Sequence, residues 1–213
     1  MPLPKPVERE HLHSRRIQCD GFRRSDGLWD IEARMVDDKT YGFPNEDRGG
    51  RIEAGEAIHD MSLRVTLDLD FVIHDMVAVT DFTPFTVCGE VAEGMRRLIG
   101  LRITNGWMRE VRARVGRTLG CTHLVELLGP LATTAYQTMH WEQEKRDRNQ
   151  EDRSRPKVIN TCHAMADDGP IVKREWPEFY VSEKNKMAVH NNPGTGCRSE
   201  LVREEYAPEP DRE

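Results

Sequence analysis

Alternation of apolar and polar positions is the clearest pattern in the first half of the chain. In one stretch the apolar residues alternate with charged ones, and this period of two predicts a half-buried strand: Trp29, Ile31, Ala33 and Met35. The alternation returns from Met61 to Leu69, and a second apolar pattern runs from Phe71 to Val79. Two strands this close in sequence form an antiparallel hairpin. This half therefore predicts an antiparallel sheet.

The second half changes to the spacing of helices. Apolar residues three and four apart predict one helix over residues 86–99 and another from Trp107 to Val115, ended by Gly116. A longer apolar stripe then follows: Leu124, Leu127, Leu128, Leu131, Ala135 and Met139. Pro130 lies within it, so a kink or a restart is expected there. Strands followed by helices predict an α+β fold, with helices packed on one face of the antiparallel sheet.

The remaining segments define the domain organisation. Residues 1–16 are rich in proline and charge and predict an N-terminal arm. Residues 17–190 are expected to form a single α+β domain, and the Gly/Pro/Glu-rich residues 191–213 a disordered tail. Residues 141–157 are almost entirely charged or polar, which is compatible with a solvated helix extension or with a linker.

Composition narrows the classes of partner. The 213 residues carry a net charge of −6, which disfavours nucleic acid and anionic membranes. There is no apolar N-terminal segment and no run of the roughly 18–20 apolar residues that a membrane span needs. We therefore expect a cytoplasmic protein with a small-molecule substrate and no nucleotide cofactor. The oligomeric state is not set by the sequence, and a dimer is compatible with it.

The five cysteines are an odd number, which argues against a disulfide framework and leaves thiols for metal, catalysis or packing. Cys121 is the most informative, because it directly precedes the longest helical pattern. A helix N-terminus stabilises a thiolate, which is both a nucleophile and a metal ligand. His123 follows in the first turn, and Glu126 lies one turn beyond it. The alternative is a buried cysteine that packs as a small apolar residue.

Two other segments contribute candidates. His59 stands at the start of the first hairpin strand, beside Asp60, whose carboxylate is suited to orient a histidine or to act as acid or base. Cys88 lies between the second hairpin strand and the next helix. Taken alone, His59 is better explained as a surface histidine at a strand start, and Cys88 is equally compatible with packing in the core. We predict Cys121, Asp60 and Glu126 as catalytic residues.

An arginine-rich segment precedes the first predicted strand. Arg16 and Arg24, together with Trp29, are candidates for binding an anionic or aromatic substrate. The alternative is a charged surface ribbon.

Four segments carry a resemblance to a known family: HSRRI (residues 13–17), DGLWDIEAR (26–34), HDM (59–61) and GCTHLVELL (120–128). Over about residues 10–180 the chain resembles the uncharacterised bacterial domain-of-unknown-function family 2889. That resemblance implies no particular activity.

The order of elements is also similar to that of iron–sulfur scaffold proteins of the IscU/NifU type. Those proteins hold a metal or cluster where a hairpin cysteine, a second cysteine after the hairpin and a third before a long helix meet. In this chain the corresponding places hold His59, Cys88, and Cys121 with His123. The resemblance implies an IscU/NifU-like arrangement, with zinc or iron bound by these four residues.

Together these observations predict an enzyme. We expect a lyase or hydrolase of aromatic or carboxylate-bearing small molecules in catabolism, with a metal-binding Cys/His site. The alternatives are a metal or iron–sulfur scaffold or delivery module, and a structural domain without catalysis.

Overall fold

The computed structural model describes residues 3–148, 155–156 and 158–182. The chain divides into two compact units, Met1–Glu151 and Asp152–Glu213. The predicted tail over residues 191–213 lies outside the described residues, and the predicted single domain over 17–190 stays a prediction.

Four long strands form one antiparallel sheet in the first unit. They are β1 (His13–Arg23), β2 (Trp29–Lys39), β5 (Ala57–Leu67) and β6 (Ile73–Phe82), in the order β1-β2-β5-β6. Two short strands, β3 (Phe43–Asn45) and β4 (Gly50–Ile52), form a separate hairpin between β2 and β5. The strand predicted from the first alternation and the predicted hairpin are confirmed as β2 and as β5 with β6.

The helices follow the sheet in the chain. Helix α1 (Trp107–Val115) has the predicted bounds. Helix α2 (Thr122–Arg148) runs through Pro130 without restarting and includes the charged residues up to 148. Residues 86–99 differ from the prediction, because they form two short 3₁₀ segments, Thr86–Val91 and Glu93–Leu98. Each contains a glycine, and glycine disfavours a continuous helix.

One face of the sheet carries the core. Residues at alternate positions of β2 and β5 are fully buried and form one cluster with the apolar stripe of α2: Ile31, Met35, Met61, Leu63, Leu124, Leu127 and Leu131. On the opposite face lie side chains such as Glu32, Arg34 and Arg64, which remain accessible. The α+β class and the placement of α2 on one face of an antiparallel sheet are thus confirmed.

Strand β1 begins inside the range predicted as an arm. His13–Arg16 pair with β2, opposite Val36–Lys39. The sequence shows little alternation here because β1 is an edge strand whose residues are mostly exposed. This strand is important for the candidate site, because it brings Arg15 to the core-facing side.

The second unit contains helix α3 (Pro170–Glu175) and two 3₁₀ turns, His163–Met165 and Pro177–Phe179. Asp167 accepts hydrogen bonds from Arg155 and Asn160, each at 2.8 Å, which ties the two ends of a loop together.

Gly21 of β1 packs closely against Thr138 of α2. A methyl group on Gly21 would lie 1.9 Å from Thr138 Oγ1 and 2.7 Å from Thr138 Cβ. We expect Gly21→Ala to lower the free energy of unfolding by about 1–3 kcal/mol, because the packed contact must open. Urea denaturation measures this change.

Gly129→Ala is the matched control. Gly129 is exposed on α2, and its added methyl would meet no atom within 4 Å. We expect this variant to gain about 0.5–1 kcal/mol from higher helix propensity. Equal responses of the two variants would contradict a tight contact at Gly21.

Candidate functional site

The last buried, core-facing residue of β2 is an aspartate. Asp37 occupies the inward position after Met35 and is only 2% exposed. Its Oδ2 accepts hydrogen bonds from Arg15 Nη2 at 2.7 Å and from Arg15 Nε at 3.3 Å. Its Oδ1 accepts from the backbone N–H of His59 at 3.0 Å and from His59 Nδ1 at 2.8 Å. Burial raises the pKa of Asp37, but the hydrogen bonds from Arg15 and His59 outweigh it and lower the pKa to about 2.

Strand register explains how Arg15, Asp37 and His59 come together. With His123, Cys121, Cys88 and Glu126 they form the cluster that makes up the candidate site. In the sheet, Asp37 lies opposite Arg15 of β1 on one side and opposite His59 of β5 on the other. All three face the side of the sheet that α2 covers. His59 follows the same phase as Met61 and is 9% exposed. Three neighbouring strands therefore each contribute one polar group at the same level.

Helix α2 brings a second imidazole against the first. The ring centroids of His59 and His123 lie 3.9 Å apart, with 36° between the ring planes. Burial, then the nearby His59 and Arg15, lower the pKa of His123 below its ordinary value. His123 is therefore largely neutral at pH 7 and able to accept a proton.

The thiol of Cys121 completes the contact. Its Sγ lies 3.8 Å from His123 Nδ1. Cys121 directly precedes α2, and its carbonyl accepts the N–H of Val125, so it occupies the start of the helix. Cys121 is half-buried.

Cys88 and Glu126 lie at the edges of the cluster. Burial, and then the charge of a Cys121 thiolate, raise the pKa of the Cys88 thiol. Cys88 is therefore favoured as a neutral thiol. Glu126 Oε2 accepts a hydrogen bond from Arg15 Nη1 at 2.7 Å, so the guanidinium bridges the sheet and α2.

Comparison with known families covers this part of the chain. The model of the family described as "Protein of unknown function (DUF2889)" matches residues 13–137. The chain belongs to this family. The match includes β1, all of the sheet and the first turns of α2, and hence every residue of the cluster. No curated protein and no solved structure matches the chain.

The structure brings together five of the predicted site residues of this DUF2889 chain: His59, Cys88, Cys121, His123 and Glu126. It adds Arg15, which belongs to the arginine-rich segment considered for anion binding, and Asp37, which has no part in the sequence-based predictions. A sequence signal for Asp37 existed, because a carboxylate in phase with buried Ile31, Ala33 and Met35 indicates a buried acid.

Asp60 lies on the other face of the sheet. Its two oxygens accept hydrogen bonds from Arg34 Nε at 2.8 Å and Arg34 Nη2 at 2.6 Å. Successive residues of a strand point to opposite faces, so the neighbour of His59 in sequence does not adjoin it in the site. Asp37, on the adjacent strand, occupies the position next to His59 that Asp60 was expected to fill.

The three predicted substrate-binding residues also lie elsewhere. Arg16 pairs with Asp38, and Arg24 pairs with Asp26 and Asp30. Trp29 is buried in the core at the opposite end of β2 from Asp37. At about 3.3 Å per residue, that end of the strand is roughly 26 Å away.

The described residues of this DUF2889 chain contain no preformed site for the predicted metal ion. Within residues 3–148, 155–156 and 158–182, no three His, Cys, Asp or Glu side chains are arranged to hold a metal ion. His59 Nδ1 is engaged by Asp37, and its ring packs against His123. Zinc or iron bound by His59, Cys88, Cys121 and His123 therefore stays a prediction. No described helix has the length and apolar content required to cross a membrane.

A groove of about 630 Å³ opens beside the cluster. His59 and Asp37 form part of its wall. The other lining residues come from the end of β2, the β3 region and the segment after β6: Lys39, Phe43, Pro44, Asn45, Glu46, Asp47, Ile58, Pro84 and Phe85, with His13 from β1. This volume is within the usual range for small-molecule sites.

Proposed function

We propose that this chain is a hydrolase of small molecules that uses Cys121 as its nucleophile. The observation that supports this most directly is the 3.8 Å contact between Cys121 Sγ and His123 Nδ1. A nucleophile beside a base, with that base positioned by further groups, is the arrangement of thiol-dependent acyl transfer. The groove that His59 and Asp37 line provides room for a substrate, and the His59 ring joins it to His123.

The reaction follows from these groups. Cys121 transfers its proton to His123, and the thiolate adds to the carbonyl carbon of an ester or amide. The bond from that carbon to the leaving group breaks, and the leaving group takes the proton from His123. Water then gives a proton to His123 and adds to the thioester, which releases the acid and regenerates the thiol on reprotonation.

His59 and Asp37 act through His123. Because Asp37 is ionised, it accepts the Nδ1–H of His59 and fixes the tautomer and orientation of that ring. The His59 ring then supports the His123 ring through their contact. In this proposal both are positioning residues, while Cys121 and His123 react.

The other predicted activities are alternatives to this one. A lyase would use the same base with a different substrate. A metal-dependent enzyme, or a metal or iron–sulfur module with an IscU/NifU-like arrangement, draws its support from the proximity of His59 to His123 and of Cys88 to Cys121. Stoichiometric zinc or iron in protein purified without a metal-affinity tag would favour these alternatives.

Thiol reactivity tests the proposal. We expect iodoacetamide at pH 7 to alkylate Cys121 at least about tenfold faster than the exposed Cys162, because His123 Nδ1 lies 3.8 Å from the Cys121 sulfur and can take its proton. His123→Asn should bring the rate down to that of Cys162. Mass spectrometry of peptides measures each cysteine separately.

His74→Asn is the control for this experiment. His74 is exposed and bonds to Asp68 at 2.7 Å, away from the cluster, so its replacement should leave the rate at Cys121 unchanged. Equal alkylation of Cys121 and Cys162 in the wild-type protein would overturn the proposed nucleophile.

A further inference from the structure

We infer that the groove beside His59 binds the carboxylate of an aromatic acid, with the ring between Phe43 and Phe85 and the carboxylate at Lys39. This inference rests on the proposed function, because it takes the thiol and imidazole cluster as the reaction centre. It names the class of substrate: a small ester or amide that also carries an aromatic carboxylate.

The apolar part of the groove supports a planar ring. Its lining includes Phe43 and Pro44 from the β3 region and Pro84 and Phe85 from the segment after β6. The Phe85 side chain is exposed, so its ring is available for contact with a ligand. Asn45 Nδ2 donates to the carbonyl of Pro84 at 3.0 Å. The β3 region and the segment after β6 are therefore linked beside the groove.

The charged part of the groove supports an anion. The Lys39 ammonium lies 4.6 Å from the Phe43 ring centroid and 5.1 Å from that of Tyr41. No carboxylate forms an ion pair with Lys39 in the described part of the chain. His13 lies directly opposite Lys39 in the β1–β2 register, and its Nε2 is 3.4 Å from Asp37 Oδ2. A substrate carboxylate at Lys39 would thus lie near the His13 imidazole, which also lines the groove.

Three acidic residues line the groove and limit which anions fit: Asp37, Glu46 and Asp47. The charge of Asp37 is already paired within the cluster. Asp47 is engaged by the Thr86 hydroxyl and backbone N–H. Glu46 lines the groove and is exposed. Its charge opposes an anion at Lys39, so we expect a compact monocarboxylate to bind better than a phosphate, which carries more charge.

Benzoate is the minimal probe, and benzamide, which has the same ring and no charge, is its matched control. Both are titrated by NMR into the Cys121→Ser protein, where no covalent reaction through Cys121 can occur. We expect millimolar binding of benzoate, with shifts at Phe43, Phe85 and His59, and at least fivefold weaker binding of benzamide. Because this titration uses a protein without the Cys121 thiol, its result does not depend on whether Cys121 proves reactive in the wild-type protein.

Three variants separate the two parts of the groove. Lys39→Met should weaken benzoate at least fivefold and leave benzamide unchanged. Phe85→Ala should weaken both ligands, and Glu46→Gln should strengthen benzoate alone. If benzoate and benzamide bound equally well to the Cys121→Ser protein, or if their NMR shift changes were confined to residues outside the groove, the inference would be overturned. Far-ultraviolet circular dichroism confirms that each variant is folded before titration.

Discussion

Asp37→Asn is expected to be the most destabilising single change in the cluster. The substitution keeps the size of the side chain but removes the charge that Arg15 and His59 share. We expect a loss of about 3 kcal/mol in the free energy of unfolding, the low end for breaking a buried ion pair, because the Arg15 side chain is 29% exposed. Equilibrium denaturation at pH 7 measures it.

The same variant should change the response to acid. The pKa of Asp37 is lowered to about 2 in the folded chain. A lowered pKa means that the folded state binds fewer protons, so the stabilisation is present above pH about 4 and is lost as the pH falls through about 2. The difference corresponds to on the order of 2 kcal/mol. Asp37→Asn should lack this component of the acid dependence.

Asp38→Asn provides the control. Asp38 is the next residue of β2 and pairs with Arg16, whose side chain is 62% exposed. An exposed pair contributes about 1 kcal/mol or less, so we expect little change in stability at pH 7. If the two variants lost equal stability, the buried network around Asp37 would not have the importance that its geometry indicates.

The elements that could be predicted from the sequence are those in which buried apolar residues recur at a regular spacing. The alternation of β2, the β5–β6 hairpin and the apolar stripe of α2 all reflect one buried face, and each appears in the structure. Strand β1 is an edge strand with mostly exposed residues, so its sequence carries little of that signal. Residues 86–99 have apolar spacing but also two glycines, and the backbone preference prevailed over the spacing.

The candidate site shows a related limit. His59, Cys88, Cys121 and His123 were chosen by residue type, and the fold brings them together. Asp60 was chosen because it adjoins His59 in sequence, but adjacency along a strand places it on the other face. Asp37 could have been found from its phase in β2, whereas its pairing with His59 depends on strand order, which the sequence pattern did not specify.

Cys121→Ser is expected to have the largest effect on activity. The hydroxyl keeps the shape of the side chain, but serine is a far weaker nucleophile than a thiolate at neutral pH. With 4-nitrophenyl acetate as a probe, we expect the wild-type protein to release a burst of about one equivalent of 4-nitrophenolate and to carry an acetyl group on Cys121. In Cys121→Ser the burst rate should fall by at least about 10³-fold.

Cys88→Ser tests whether this effect is specific to one thiol. Cys88 lies in the same cluster, but the pKa of its thiol is raised by burial and by Cys121, so it is the poorer nucleophile. Its replacement should leave the burst within a few-fold of wild type. An acetyl group found on another residue, or a burst that persists in Cys121→Ser, would remove Cys121 from the reaction. The contact between its sulfur and His123 would then be a matter of packing alone.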